Sequence, residues 1–212
     1  MKTILFPSSY FDIKSVDESL KYEYDTVVET GMFDVVLFSY DKFLNDGKLV
    51  LSNSVPKKCQ AIYRGWMMKP NQYENFYNQL LHQNIELITN PYQYSLFHIF
   101  PNIYPKLEQD TAKMLIYSNE QKPNFKEIKS VFDKFIIKDF VKSVKGTDFP
   151  KYFENSITEN EFEKYMQIFM KYRGDLYTGG ICVKEYLSLK HYGTSTNEYR
   201  VFYANHHIVS IS

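Results

Sequence analysis

Two lysines, two glutamates and an arginine in the last third of the sequence stand where charge is costly. Phe135-Ile136-Ile137-Lys138-Asp139, Ile181-Cys182-Val183-Lys184-Glu185 and Glu198-Tyr199-Arg200-Val201-Phe202 each read as an apolar strand that carries charge. A buried strand does not hold a charge without a partner. Lysines, glutamates and an arginine on strands of one sheet, beside the short glycine-containing loop Lys142-Ser143-Val144-Lys145-Gly146, make a cradle for a polyphosphate and its metal. A nucleotide is the simplest ligand with that chemistry.

Each residue also has a blander reading. Lys138 offers a compact charge with three donors, suited to phosphate, yet its stem could pack on the core while its head reaches water. Glu198 and Arg200 are two apart on an expected strand and would share a face, either as ligands or as half of a solvated ion-pair ladder. Lys184 and Glu185 alternate, so they point to opposite faces, and Glu185 is the one assigned to the site. The loop ending at Lys145-Gly146 lacks P-loop spacing and reads in isolation as a turn. Arg64, followed by Gly65 at the carboxyl end of a strand, stands where open α/β sheets bind ligands, and carboxylate or phosphate recognition is favoured over a structural ion pair. Trp66 either walls that crevice or fills a core. His98 reads as structural, and His206 and His207 lack the acidic or cysteine partners of a metal site.

The elements that must position these residues alternate in the first half. Residues 3–6, 33–38, 61–63 and 86–88 are expected strands, 48–52 an edge strand, and 17–30 and 70–82 helices, with a short helix over 41–44. This β-α-β-α order predicts an open, mainly parallel sheet. Pro91, Pro101 and Pro105 punctuate an irregular stretch over 90–108, and a boundary is placed near Thr111. Beyond it, strands over 114–117, 135–140, 181–187, 198–204 and 208–211 surround helices over 124–132 and 159–172, the second capped by Ser156 or Thr158. A tight turn at Asn205-His206 joins the last two strands, and an antiparallel α+β sheet results.

Composition bounds the rest. With 25 basic and 25 acidic residues the net charge is zero, which gives no electrostatic reason to expect nucleic acid or an anionic membrane as partner. Two distant cysteines, Cys59 and Cys182, fit a reduced cytoplasmic protein better than a disulfide scaffold. The apolar run after Met1 is short for a signal peptide, and none approaches the roughly 20 residues needed to span a bilayer. Aromatics reach 17% but are scattered, as in core and rim packing, not in a base-stacking platform.

The second half resembles the ATP-grasp superfamily, and the first half the Rossmann-like domain that precedes it in a branch of small bacterial and viral proteins. The resemblance rests on Tyr63-Arg64-Gly65-Trp66-Met67, the helix bearing Tyr73, Leu87-Ile88-Thr89-Asn90-Pro91-Tyr92-Gln93-Tyr94, His98, the Pro101 segment, and the Lys138-Asp139, Glu185 and Glu198-Tyr199-Arg200 strands. It implies an α/β plus α+β chain, a pre-ATP-grasp domain over 1–110 and the ATP-binding part of an ATP-grasp domain over 111–212. It also implies ATP and Mg2+ as cofactors and a carboxylate–amine ligase acting through an acyl phosphate on a small-molecule or peptide substrate, with a protein partner open. Lys138 resembles the lysine on the α- and β-phosphates, and Lys113 the first ATP-grasp lysine. Lys145-Gly146 resembles the flap, Glu185 to Leu187 the hinge that meets adenine and ribose, Glu198 a ribose or metal ligand, and Arg200 the guanidinium at the γ-phosphate. Arg64 would hold the acyl substrate or the amine.

One departure matters. The sequence ends at Ser212 before the further acidic residue and late Glu-x-Asn-type pair that usually bind Mg2+. The resemblance therefore implies a C-terminally incomplete domain, metal ligands from elsewhere, or nucleotide binding without turnover. A covalent nucleotidyltransferase using Lys138 or Lys142 is disfavoured, because neither begins a Lys-x-Asp-Gly pattern.

Overall fold

The computed structural model describes residues 2–204 and 206–212. The chain divides into two compact units, Met1–Ile103 and Tyr104–Ser212. Among the described residues no helix is long and apolar enough to cross a membrane.

In the first unit β1 (Lys2–Pro7), α1 (Lys21–Thr30), β2 (Phe33–Phe38), α2 (Tyr40–Asp46), β3 (Cys59–Tyr63), α3 (Pro70–His82) and β4 (Ile85–Leu87) alternate. The strands form a parallel sheet in the order β2-β1-β3-β4. The central strand β1 is apolar on both sides because each side meets a core. Leu5 packs with Phe38, Ala61, Phe76 and Leu80, while Ile4 and Phe6 pack with Leu37, Tyr24 and Val27. Helix α3 starts with Pro70 at its first turn, and Tyr73, Phe76 and Leu80 repeat at helical spacing on its buried side.

Two expectations for this unit are corrected. Residues 48–52 form no strand. Leu51 makes a single bridge to Phe38, and Ser52 Oγ accepts from the Leu37 N–H at 3.0 Å. The stretch over 90–108 is two helices, α4 (Pro91–His98) and α5 (Phe100–Leu107). Pro91 and Pro101 fall in first turns, where a missing N–H costs nothing, and only Pro105 lies inside a helix. Asn90 and Gln93 close a reciprocal cap on α4 at 2.9 Å each way.

In the second unit β5 (Met114–Ser118), α6 (Phe125–Val131), β6 (Lys134–Asp139), β7 (Phe153–Glu154), α7 (Glu159–Arg173) and β8 (Gly180–Glu185) build an antiparallel sheet in the order β5-β8-β6-β7. Phe125 and Ile128 of α6 and Phe162 and Phe169 of α7 cover one face, over Tyr117, Phe135, Ile137, Phe153, Ile181 and Val183. Thr158 caps α7: its Oγ1 accepts from the Glu161 N–H, and Glu161 Oε2 accepts from the Thr158 N–H at 2.9 Å. Thr158→Ala is expected to lower the stability of this unit by about 1 kcal/mol in urea unfolding, with an unchanged m-value.

The last strands depart from expectation. β9 (His191–Tyr192) pairs with β10 (Ser195–Thr196), and β11 (Val201–Ala204) with β12 (His207–Ile211), as two-stranded ladders separate from the larger sheet. All described residues of β11 and β12 are exposed. Asn205 of the expected tight turn lies outside the described residues.

Candidate functional site

Burial alternates along β6. Phe135, Ile137 and Asp139 are buried against the helices, and Lys134, Ile136 and Lys138 are half-buried on the opposite face. Residues directly across a ladder share a face, and Ile136 pairs with Lys184 while Lys138 pairs with Cys182. Lys138 and Lys184 are therefore diagonal neighbours on one face, a relation that spans about 7–8 Å. Met114 and Ile116 of β5, opposite Lys184 and Cys182, extend this face as an apolar floor.

The electrostatics agree with the register. Burial, followed by repulsion from Lys138, lowers the Lys184 pKa. Its ammonium lies 3.0 Å from Thr111 Oγ1. Cys182 between them is buried, and desolvation pushes its thiol up to about 12, so it is a neutral part of the floor. Two ammonium groups that repel each other on an apolar floor gain from a shared polyanion. Alternation along β8 puts only one of Lys184 and Glu185 on each face, and the register puts Lys184, not Glu185, beside Lys138. Glu185 pairs with Phe135 and lies on the helix-covered side of the sheet, where its Oε2 accepts from the Lys113 N–H at 3.3 Å.

Lys113 and Glu185 are thus together, joined also by the Glu185 N–H donating to Lys113 O at 2.9 Å. Tyr186 follows, its N–H bonded to Lys134 O at 2.9 Å and its ring 4.5 Å from Lys134 Nζ. Lys134 also sits 3.6 Å from the Tyr152 ring centroid and pairs with Glu154 at 3.1 Å. This clamp fixes where β8 ends and the exposed Leu187 begins. Lys145 and Gly146 lie in an exposed loop after β6, and Gly146 takes φ +71°, a conformation that suits glycine, with open space around it.

Glu198 and Arg200 do not share a strand. β11 begins only at Val201, and the Glu198 N–H turns back to Thr196 O at 3.0 Å while its carboxylate accepts from Thr196 Oγ1. Arg200 closes the end of the β11–β12 ladder through its main chain, with bonds of 2.8 and 3.0 Å to Ser212. A local turn has replaced the expected strand, so the shared face is lost. Among the described residues no group of three or more His, Cys, Asp or Glu side chains that could hold a metal occurs, and Glu198 is an exposed carboxylate. Mg2+ beside phosphates needs only one or two carboxylates.

Arg64 lies in the first unit. Its N–H extends the ladder to Leu5 O at 2.9 Å, and its Nε donates to Glu23 of α1, the ion pair that the sequence reading set second. Three tyrosines, two of which (Tyr63 and Tyr94) stand in the motifs quoted from the sequence, hold the loop after it. Tyr63 Oη donates to Trp66 O at 2.5 Å and Tyr40 Oη to Met67 O at 3.2 Å; Tyr94 Oη bonds both Met68 N and O at 2.9 Å. Trp66 is 38% exposed and packs edge-on to Tyr40, so it is not core filling. His98 stacks on Tyr94, a structural role.

An antiparallel sheet with helices on one face and lysines on the other, following a parallel α/β unit in the sequence, is a mixed α/β fold of the ATP-grasp type. Residues 126–212 match the family model "ATP-grasp domain, R2K clade family 3". Among solved structures the chain is similar to D-alanyl-alanine synthetase A from Vibrio cholerae O1 biovar eltor str. N16961, at 13% identity and a TM-score of 0.54, over 100% of this chain and 65% of that one. It is also similar to D-alanine–D-alanine ligase from Bacillus anthracis complexed with ATP, at 10% identity and a TM-score of 0.53, over 88% and 58%. A RimK domain protein ATP-grasp from Sphaerobacter thermophilus DSM 20745 matches at 11% identity and a TM-score of 0.50, over 90% and 66%. The chain spans less than two thirds of the length of each of these structures. No curated protein matches it.

Proposed function

We propose that this protein binds ATP on the Lys138–Lys184 face and uses it to join a carboxylate to an amine. A carboxylate oxygen attacks the γ-phosphorus, ADP leaves with the bridging electron pair, and the amine then displaces phosphate from the acyl phosphate. Lys138 and Lys184 hold the phosphates and the charge that develops during transfer, with Lys113 and Arg200 as further cations. The flap over the phosphates is the Lys145-Gly146 loop. Because the Tyr186 N–H is bonded to Lys134, adenine recognition falls to the main chain of Leu187, with Glu198 assigned to the ribose, while Glu185, on the helix-covered side, holds the Lys113 main chain. Arg64, oriented by Glu23, presents its remaining donors to the carboxylate of a small molecule or peptide. The same reading takes 1–110 as a pre-ATP-grasp domain of the small bacterial and viral branch, 111–212 as the ATP-binding part, and the cytoplasm as the location.

The observation that carries this reading is the pair of lysines made neighbours by the β6–β8 register. Calorimetric titration with ATP, with and without Mg2+, tests it. Saturable 1:1 binding is expected. No heat of binding in either buffer would remove the nucleotide, and binding without acyl phosphate formation across a panel of carboxylates would leave a nucleotide-binding protein that does not ligate.

A further inference from the structure

Lys138 is followed by a residue that faces the other way and is held more tightly than any other described carboxylate. Asp139 is 1% exposed. Its Oδ1 accepts from the Val141 N–H at 2.8 Å and the Lys142 N–H at 2.6 Å, and its Oδ2 accepts from Arg173 Nε at 2.7 Å. Its own N–H donates to Lys142 O at 2.9 Å, which closes a tight turn directly after Lys138. Arg173, the last residue of α7, also donates from Nη2 to Leu176 O at 2.8 Å, and the Phe140 N–H donates to Thr178 O at 3.2 Å. One buried ion pair thus ties the end of β6, the first residues of the 141–146 loop, the end of α7 and the approach to β8.

A buried pair of this kind is weak evidence for stability, because desolvation offsets much of the Coulombic gain. Its geometry supplies something else. Hydrogen bonds to two successive loop amides fix the direction in which the loop leaves the strand, and a fixed turn at residue 139 fixes the strand end that carries Lys138. We propose that Asp139 and Arg173 are positioning residues, which set Lys138 and the root of the 141–146 loop for a polyphosphate on the opposite face. The inference rests on the ATP reading above.

Electrostatics and positioning predict opposite signs for Asp139→Asn. Removing a negative charge near a polyanion site favours ATP, whereas an amide facing Arg173 Nε loosens the turn. With the full chain, Asp139→Asn is expected to keep its circular dichroism, to show faster hydrogen exchange at the Val141 and Lys142 amides, and to raise the Kd for ATP about tenfold. Arg173→Lys keeps both charges but loses the fork that reaches Leu176, and is expected to weaken ATP in the same direction. It is the variant to use if Asp139→Asn does not fold. Unchanged or tighter ATP binding by either folded variant, beside normal binding by the parent chain, overturns the positioning role alone. A parent chain that fails to bind ATP removes the ATP reading and this inference with it.

Discussion

Lys138→Ala is expected to leave the second unit folded and to weaken ATP binding about 10- to 100-fold. The loss corresponds to one charge-assisted hydrogen bond of about 1.5–3 kcal/mol to a phosphate oxygen. The fold survives because Lys138 is half-buried on the face away from the helices, so truncation opens no cavity in the Phe135–Phe169 core. The stability change should stay within about 0.5 kcal/mol, as at other positions outside a core. Lys184→Ala should have a similar effect on ATP, and the double variant should lose less than the sum of the two. On the proposed reading each lysine would bind the same phosphates against the other's repulsion, a coupling that a double-mutant cycle measures. Calorimetry on the three variants, with unfolding midpoints as the control, checks both parts. Parent-like affinity in folded Lys138→Ala removes this lysine from the site.

Gly180→Ala is expected to cost the second unit about 3–5 kcal/mol, a large share of the 5–15 kcal/mol that holds a domain together. A methyl group there would lie 2.2 Å from Tyr117 O, a main-chain atom of the neighbouring strand, and 2.8 Å from the Phe140 ring. The strand cannot retreat without breaking the β5–β8 ladder in which Ser118 faces Gly180. Backbone strain adds to the clash, since the residue takes φ +149°, where side chains are disfavoured. Urea unfolding followed by tyrosine fluorescence and amide circular dichroism measures the loss. A change below about 1 kcal/mol would mean that β8 enters the sheet by another path. The two substitutions separate function from fold within one sheet.

How much of this the sequence contained depends on the range of the interaction. The strands and helices of the first unit, and helix α7 with its Thr158 cap, were legible because period and capping are local. The prolines of 90–108 misled, since a proline in a helix's first turn and a proline that breaks a helix are the same letter. Lys184 was passed over for Glu185 because only the β6–β8 register, a pairing across 48 residues for Ile136 and Lys184, decides which neighbour shares a face with Lys138. The Asp139–Arg173 pair spans 34 residues and carries no local mark. Glu198 and Arg200 looked like strand neighbours because Tyr199, Val201 and Phe202 favour strands, and the short turn at Thr196 overrode that preference. Tyr63 and Tyr94 stand in recognisable motifs, but Tyr40 is one of 19 tyrosines, and no local pattern marks which of them bond the Arg64 loop.

Those tyrosines hydrogen-bond the loop through its peptide groups. Trp66, Met67 and Met68 are held through main-chain atoms that every residue type presents in the same place. Burial raises the pKa of Tyr40, Tyr63 and Tyr94, so the hydroxyls keep their protons through neutral and mildly alkaline pH. The path of the chain is thereby uncoupled from the identity of the exposed side chain at 67, which could be exchanged without losing any of these bonds.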